Sequence, residues 1–138
     1  MTVFKVYIND KQIHSGDKYN LKDLQTIPKL RLLNISKNKL YAIAMIDPDA
    51  PSPTNPIFRN YLHWLIINNE QIIKKFTPPN PPKGSGAHRY FFILMRQSHY
   101  INPNDLKINK RTNFSVRKFI QKYNLQIKKN IYFITENK

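Results

Sequence analysis

Short, almost wholly apolar runs separated by polar segments dominate this sequence. Three of them are Leu40–Ile46, Tyr61–Ile67 and Arg89–Arg96. They are shorter than most helices and rich in aromatic and β-branched residues, so they predict strands that are buried on both faces of a sheet. Less regular runs predict three further strands, at Val3–Ile8, Lys29–Ile35 and Ile131–Thr135.

One segment has helical spacing instead. Phe114, Phe119 and Tyr123 belong to an apolar set that favours a helix of about three turns, with Asn113 as its N-cap and Asn124 at its end. No repeat and no second domain are visible. Because the predicted strands are joined by loops without regular crossover helices, we expect one domain over residues 1–138: a mainly β, antiparallel sandwich with one or two short helices.

The composition narrows the class of protein. The chain has no cysteine, which excludes a disulfide framework, a thiolate zinc site and a catalytic cysteine, and favours a reducing compartment. Residues 1–7 lack the apolar stretch of a signal peptide, and no run is long enough to span a membrane. We therefore expect a soluble, cytoplasmic protein.

The chain is also strongly basic, with 23 Lys and Arg against 8 Asp and Glu, a formal charge of +15. Such a charge attracts phosphates, nucleic acid or acidic lipid surfaces. The joint abundance of Lys, Asn and Ile has a second explanation, codon bias in an AT-rich genome, and both remain open. The clearest clusters are Lys107–Arg111 and Arg117–Lys118. No base-reading motif accompanies them, so nucleic acid is the least favoured partner.

Two stiff polar segments carry the candidate chemistry, Asp47–Pro53 and Pro81–Tyr90, and the proline-rich stretch Thr77–Pro82 predicts an ordered loop that leads into the second. Prolines restrict the backbone around Asp47 and Asp49. Either carboxylate can accept a ring N–H from a histidine, which would leave the other ring nitrogen for a ligand.

The second segment contains a glycine-flanked turn followed by a strand. Gly84 and Gly86 allow a close backbone approach, and their N–H groups are candidates to face an anion. Strand alternation places His88 and Tyr90 on one face and Arg89 on the other, where Arg89 can pair with Asp49. The two acidic residues, His88, Arg89 and Tyr90, together with His63 of the Tyr61–Ile67 run, predict a small anion pocket.

The same residue types also have other interpretations. Asp47 and Asp49 are typical of turn acids that cap backbone amides, and His63 and Trp64 of core residues. Ser52 and Ser85 are candidate nucleophiles, although neither lies in a recognisable nucleophile turn. Two histidines with two aspartates are also a possible metal-ligand set.

Asp47–Ser52 and Pro82–Tyr90 resemble the two signature regions of the phosphatidylethanolamine-binding protein family, which includes Raf kinase inhibitor proteins and plant flowering-time regulators. His63 matches the histidine between them. The resemblance implies a Greek-key β-sandwich with an anion pocket at one end. It implies ligand contacts from Asp47, Pro51, His63, Pro82, His88 and Tyr90. Supporting roles then fall to Asp49, Gly84, Gly86 and Arg89.

Two differences from the animal members, and one from the plant members, affect that expectation. The sequence stops just after its last predicted strand, whereas animal members continue into a C-terminal helix that helps cover the pocket, so a short form with a more open pocket is expected. Asn80 stands where animal members have a glycine beside the bound phosphate. Tyr90 is kept where plant members lack the tyrosine.

Taken with the charge, the resemblance implies a noncatalytic module that binds a phosphate-bearing small ligand or a phospholipid headgroup and regulates signalling proteins. A kinase or an adaptor is the expected protein partner, and no cofactor, metal or catalytic residue is expected. Two alternatives stay open: a hydrolase or hydrolase inhibitor that uses the Asp and His residues, and a basic domain that binds nucleic acid.

Overall fold

The computed structural model describes residues 2–138, which form nine strands, one α-helix and two short 3₁₀ helices. The strands are β1 (Val3–Ile8), β2 (Lys11–Gln12), β3 (Asp17–Lys18), β4 (Lys29–Leu33), β5 (Leu40–Asp47), β6 (Tyr61–Ile67), β7 (Gln71–Lys74), β8 (His88–Gln97) and β9 (Leu125–Thr135). Helix α1 spans Val116–Tyr123, and the 3₁₀ helices span Leu21–Leu24 and Pro103–Asp105. The predicted strands are therefore present, and the last one begins earlier than expected, at Leu125.

Two sheets make up the fold. The smaller has the order β2-β1-β4 and the larger the order β3-β9-β8-β5-β6-β7. Strands β5, β6 and β7 follow one another as an antiparallel meander, and β8 returns to lie beside β5, which is the Greek-key arrangement. Only the short β3–β9 pair within residues 2–138 is parallel. The expected mainly β Greek-key sandwich is confirmed.

Both faces of the large sheet are buried. One face packs against β1 of the small sheet, where Phe4 meets Tyr41, Phe92 and Phe133 in a single apolar cluster. The opposite face is covered by α1 and the irregular segment before it. Burial on both sides explains why β5, β6 and β8 are almost continuously apolar instead of alternating. Trp64 lies in the core, as expected.

Helix α1 is shorter than predicted and begins later. Its N-cap is Ser115, whose hydroxyl accepts a hydrogen bond from the Lys118 N–H at 3.1 Å. Asn113 has a φ of 60° and donates its side-chain amide to the Ile57 carbonyl, so the predicted cap at Asn113 is wrong. The predicted end at Asn124 is confirmed by its left-handed conformation. Neither α1 nor the 3₁₀ helices of residues 2–138 have the length and apolar character needed to cross a membrane.

Strand register brings the two polar segments together. In the antiparallel β5–β8 pair Ile46 lies opposite Phe91, so the end of β5 and the start of β8 meet at one end of the large sheet. The predicted loop at residues 77–82 has no regular secondary structure. It is joined to β6 by two hydrogen bonds between His63 and Thr77. The Ala50–Pro51 and Arg59–Asn60 peptide bonds are cis.

Candidate functional site at one end of the large sheet

A pocket of about 270 Å³ lies where these loops meet. Six of its lining residues are the ligand contacts that the family resemblance implied: Asp47, Pro51, His63, Pro82, His88 and Tyr90. The remaining walls come from Ala50, Phe58, Tyr61, Thr77, Pro78, Asn80 and Pro81. The β5–β6 pairing has a bulge at His63, since Met45 pairs with Trp64 and Ile46 with Leu62. Simple alternation therefore does not predict that the rings of Tyr61 and His63 lie 4.8 Å apart. Phe58 lies in an irregular loop, where no periodicity predicts it.

Asp47 and His88 form a buried hydrogen-bonded pair. A carboxylate only accepts hydrogen bonds, so the His88 Nδ1–H donates to Asp47 Oδ2, at 2.8 Å. Asp47 Oδ1 accepts the N–H of Asp49 at 2.7 Å, which fixes the carboxylate from its other side. His88 Nε2 lies 2.9 Å from Ser85 Oγ. The expectation of a free second nitrogen on this ring is therefore wrong, because Ser85 occupies it.

His63 is the imidazole that keeps a nitrogen available. Its Nδ1 lies 2.6 Å from the Thr77 carbonyl oxygen and donates to it, since a carbonyl only accepts. Burial lowers the pKa of His63 to about 4, despite the opposing effects of that hydrogen bond and of Asp47. The ring is neutral near pH 7, and its Nε2 makes no hydrogen bond within residues 2–138. Nε2 is thus a hydrogen-bond acceptor at the pocket.

Tyr90 supplies a phenol that stays protonated. Its ring packs edge-on against His63, with centroids 5.2 Å apart, and stacks on Phe133. Burial, followed by the negative charge of Asp47, raises the pKa of the Tyr90 hydroxyl well above its usual value. A hydrogen bond to the Asp47 carboxylate adds to this shift, so the hydroxyl is a protonated donor that lies beside Asp47 at the pocket. His63 and Tyr90 offer a ligand opposite hydrogen-bonding roles.

Arg89 and Asp49 lie outside the pocket lining and support it. The guanidinium binds the Asp49 carboxylate at two points, 2.9 and 3.0 Å, and the Arg89 backbone N–H donates to the same carboxylate at 2.9 Å. Burial acts to raise the pKa of Asp49, but the hydrogen bonds and charge of Arg89 outweigh it and hold the pKa below its ordinary value. This pair ties the β5 loop to the start of β8, as the alternation predicted.

The two glycines serve the turn and do not line the pocket. Both have positive φ, 74° at Gly84 and 102° at Gly86, which explains the choice of glycine. The Gly84 N–H donates to the Asn137 carbonyl at 2.7 Å. The expectation that it faces an anion is therefore wrong, because Asn137 already accepts it.

The pocket contains a carboxylate, a neutral imidazole acceptor and a protonated phenol, but no Lys or Arg lines it in residues 2–138. Such a set favours a ligand that carries both acidic and basic groups over a bare anion. Within the same residues, no three His, Cys, Asp or Glu side chains are arranged to hold a metal ion.

The mainly β fold with a proline-walled pocket at one end of the large sheet defines a small β-sandwich. The sequence model of the phosphatidylethanolamine-binding proteins matches residues 5–72 and 68–132, and the chain belongs to this family.

Individual relatives agree with this assignment. A phosphatidylethanolamine-binding protein homolog of Acanthamoeba polyphaga mimivirus is 45% identical over 96% of this chain and 96% of its own length. A relative from Drosophila melanogaster is 34% identical over 86% of this chain and 62% of its own length, so the chain spans about three fifths of that relative. The crystal structure of a carboxypeptidase Y inhibitor complexed with its cognate proteinase has the same fold, with a TM-score of 0.86 and 23% identity over 99% of this chain and 84% of that one.

Proposed function

We propose that this protein is a noncatalytic module whose pocket binds the headgroup of a zwitterionic phospholipid or a similar small molecule bearing a phosphate. The observation that carries the proposal is the lining itself: Asp47, His63 and Tyr90 converge in one pocket that no lysine or arginine of residues 2–138 lines. Residues 1–138 act in this proposal as one domain, in the cytoplasm, that regulates signalling proteins through a partner such as a kinase or an adaptor.

The two halves of such a headgroup have separate partners. The Tyr90 hydroxyl donates to a phosphate oxygen, and the Asn80 side chain at the pocket wall provides a further donor. The Asp47 carboxylate accepts from the Asp49 N–H and the His88 ring and lies beside the Tyr90 hydroxyl, and its remaining lone pair accepts from an ammonium group. A simple phosphate would satisfy only the first half of this set.

His63 makes the binding dependent on pH. Its free-state pKa of about 4 means that it meets the ligand as a neutral acceptor near pH 7. A nearby phosphate stabilises the protonated ring and raises its pKa in the complex. The complex then binds more protons than the free protein, so affinity rises as pH falls from 7 towards 5.

Apolar side chains at the opening of the pocket favour a lipid over a soluble ester as the ligand. Ile57 and Phe58 are 59% and 40% exposed, and Phe58 also lines the pocket. Exposed apolar residues beside a headgroup site can contact acyl chains of the same lipid.

The test is an NMR titration of ¹⁵N-labelled protein with glycerophosphoethanolamine and, in parallel, with glycerol 3-phosphate. We expect the zwitterionic diester to bind more tightly and to shift the amides of Ala87–Tyr90 and His63. Tyr90→Phe should weaken it about tenfold. His63→Asn should remove the pH dependence, while His14→Asn, at a histidine outside the pocket, should change neither.

Two results would contradict this proposal. The first is equal affinity for the zwitterion and the simple phosphate. The second is shifts that are confined to residues outside the pocket.

A second candidate, hydrolysis, is favoured by one observation. Ser85, His88 and Asp47 form a hydrogen-bonded chain with distances of 2.9 and 2.8 Å, in the order found in serine hydrolases. Ser85, however, does not line the pocket, and its own N–H and that of Gly84 donate to backbone carbonyls. A fluorophosphonate probe tests the idea: labelling at Ser85 that is lost in His88→Gln supports it, and absence of labelling contradicts it.

Inhibition of a hydrolase, the role named for the proteinase-bound relative, is tested by adding this protein to carboxypeptidase Y.

A further inference from the structure

A second cavity, of about 200 Å³, lies at the opposite end of β8 from the pocket. It is lined by Thr2, Phe4, Lys39, Tyr41, Leu94, Arg96, Lys128 and Lys129. Half of these residues are basic, and none is acidic. Strand β8 carries His88 at its start and Arg96 near its end, so the two sites are about 26 Å apart at the usual rise of a strand.

Strand register explains why the cations converge. Tyr41 lies directly opposite Arg96 in the β5–β8 pair, and Leu94 lies opposite Lys129 in the β8–β9 pair. These four residues share the face of the large sheet that looks towards the small sheet. Lys39 precedes β5 and adds a third cation from the neighbouring loop.

A β-bulge brings in the fourth cation. The pairing of β8 with β9 shifts between Leu94 and Met95, whose partners are Lys129 and Ile127, so Lys128 has no partner of its own. Consecutive residues of a regular strand point to opposite faces, and a bulge changes the direction of the extra side chain. Lys128 and Lys129 therefore both line the cavity although they are adjacent in the sequence.

The donors at this site are largely unused. Arg96 is half-buried, and within residues 2–138 its guanidinium makes neither a salt bridge nor a side-chain hydrogen bond. Lys129 donates one hydrogen bond, to the Phe4 carbonyl at 3.3 Å, and keeps two N–H groups. The Tyr41 hydroxyl is held by Thr2 Oγ1 at 2.9 Å. Four like charges beside a held hydroxyl, with no carboxylate among them, form a site for an anion.

We propose that this cavity, which we call the cationic mouth, binds a phosphate group through Arg96, Lys129 and their basic neighbours, independently of the pocket at the other end of β8. The planar fork of Arg96 matches two phosphate oxygens, and the lysines supply point charges. The mouth has the opposite preference to the pocket, since it contains cations and no carboxylate. It takes a simple phosphate in preference to a zwitterion.

A titration with inorganic phosphate at constant ionic strength tests the site. We expect saturable shifts at the amides of Tyr41, Arg96 and Lys129. The double variant R96Q/K129Q should bind at these positions roughly tenfold or more weakly. The control K22Q/R117Q removes the same two charges, one Lys and one Arg, from exposed positions outside the mouth and should bind like the wild type.

Absence of saturable shifts at the mouth, or equal weakening in both double variants, overturns the proposal, because the effect would then follow total charge. If R96Q/K129Q does not fold, R96K takes its place: it keeps the charge but lacks the fork, and unchanged binding overturns the role of Arg96.

Cosedimentation with phosphatidylcholine vesicles containing phosphatidic acid identifies the source of the phosphate. A loss specific to R96Q/K129Q supports a lipid at this mouth. Unchanged cosedimentation, together with the shifts, supports a soluble phosphate ester there.

Discussion

Replacing His63 with Asn should remove most of the pH dependence of stability between pH 7.5 and pH 4.5. In the folded protein, burial holds the pKa of His63 near 4, whereas its ordinary value is 6.5. Between these values the unfolded chain binds a proton that the folded protein does not. Lowering the pH therefore favours unfolding, and the stabilisation from neutral His63 is complete above pH 6.5 and declines as the pH falls towards 4.

The magnitude follows from the two pKa values. Integrating proton binding gives a loss of about 2 kcal/mol in the free energy of unfolding by pH 5 and about 2.5 kcal/mol by pH 4.5. That is a large share of the stability of a small domain, commonly about 5–15 kcal/mol. Asn is the suitable replacement because its amide N–H can take the place of the His63 Nδ1–H that donates to the Thr77 carbonyl.

Urea unfolding followed by circular dichroism at several pH values measures this difference. The wild type should lose stability steadily below pH 6.5, and His63→Asn should give a nearly flat curve that starts lower at pH 7.5. His14→Asn, whose side chain is 73% exposed, should keep the wild-type slope. Parallel curves for wild type and His63→Asn would refute the assignment of a buried neutral histidine.

Three further substitutions test the packing around the site by urea unfolding. Arg89→Lys keeps the charge but loses the two-point contact with Asp49. Because Arg89 is 46% exposed, the free energy of unfolding should fall by only about 0.5–1 kcal/mol. An unchanged free energy of unfolding would mean that the two-point contact does not stabilise the protein. Ser115→Ala should cost about 1 kcal/mol, and Ser115→Thr should restore most of it; equal stabilities would contradict the cap. Phe92→Ala in the core should cost roughly 3–5 kcal/mol, and a smaller loss would indicate that the two sheets pack loosely there.

Six of the nine strands in residues 2–138 were predictable from the sequence because their signal is local, whereas the short strands β2, β3 and β7 were not predicted. Continuous apolar runs of strand length predicted β5, β6 and β8, and the structure buries them on both faces. The first half of β9 was missed, since its exposed residues Gln126–Asn130 give no apolar pattern. The cap of α1 was misplaced because Asn113 is held by the Ile57 carbonyl, a contact between residues distant in sequence.

The pocket was predictable to a similar degree. Motif residues at the ends of β5 and β8 meet because the register requires it, and the Asp49–Arg89 pair follows from alternation. The hydrogen-bond partners within the site were not predictable from the sequence. Ser85 occupies His88 Nε2, and the Asn137 carbonyl accepts the Gly84 N–H. The cationic mouth was not predictable from the sequence for another reason. Its basic residues come from separate segments, and a bulge turns the adjacent Lys128 and Lys129 towards the same cavity.

The position of β9 has a consequence for how the protein is made. This strand follows the other eight in the chain, yet it lies in the interior of the large sheet, between β3 and β8. During synthesis, β8 is complete before β9 exists. The edge of β8 that will pair with β9 then still has unpaired N–H and C=O groups and exposed apolar side chains. Such an edge readily pairs with strands of other chains. Ribosome-bound chains stalled before Leu125 should therefore aggregate or require a chaperone until β9 emerges.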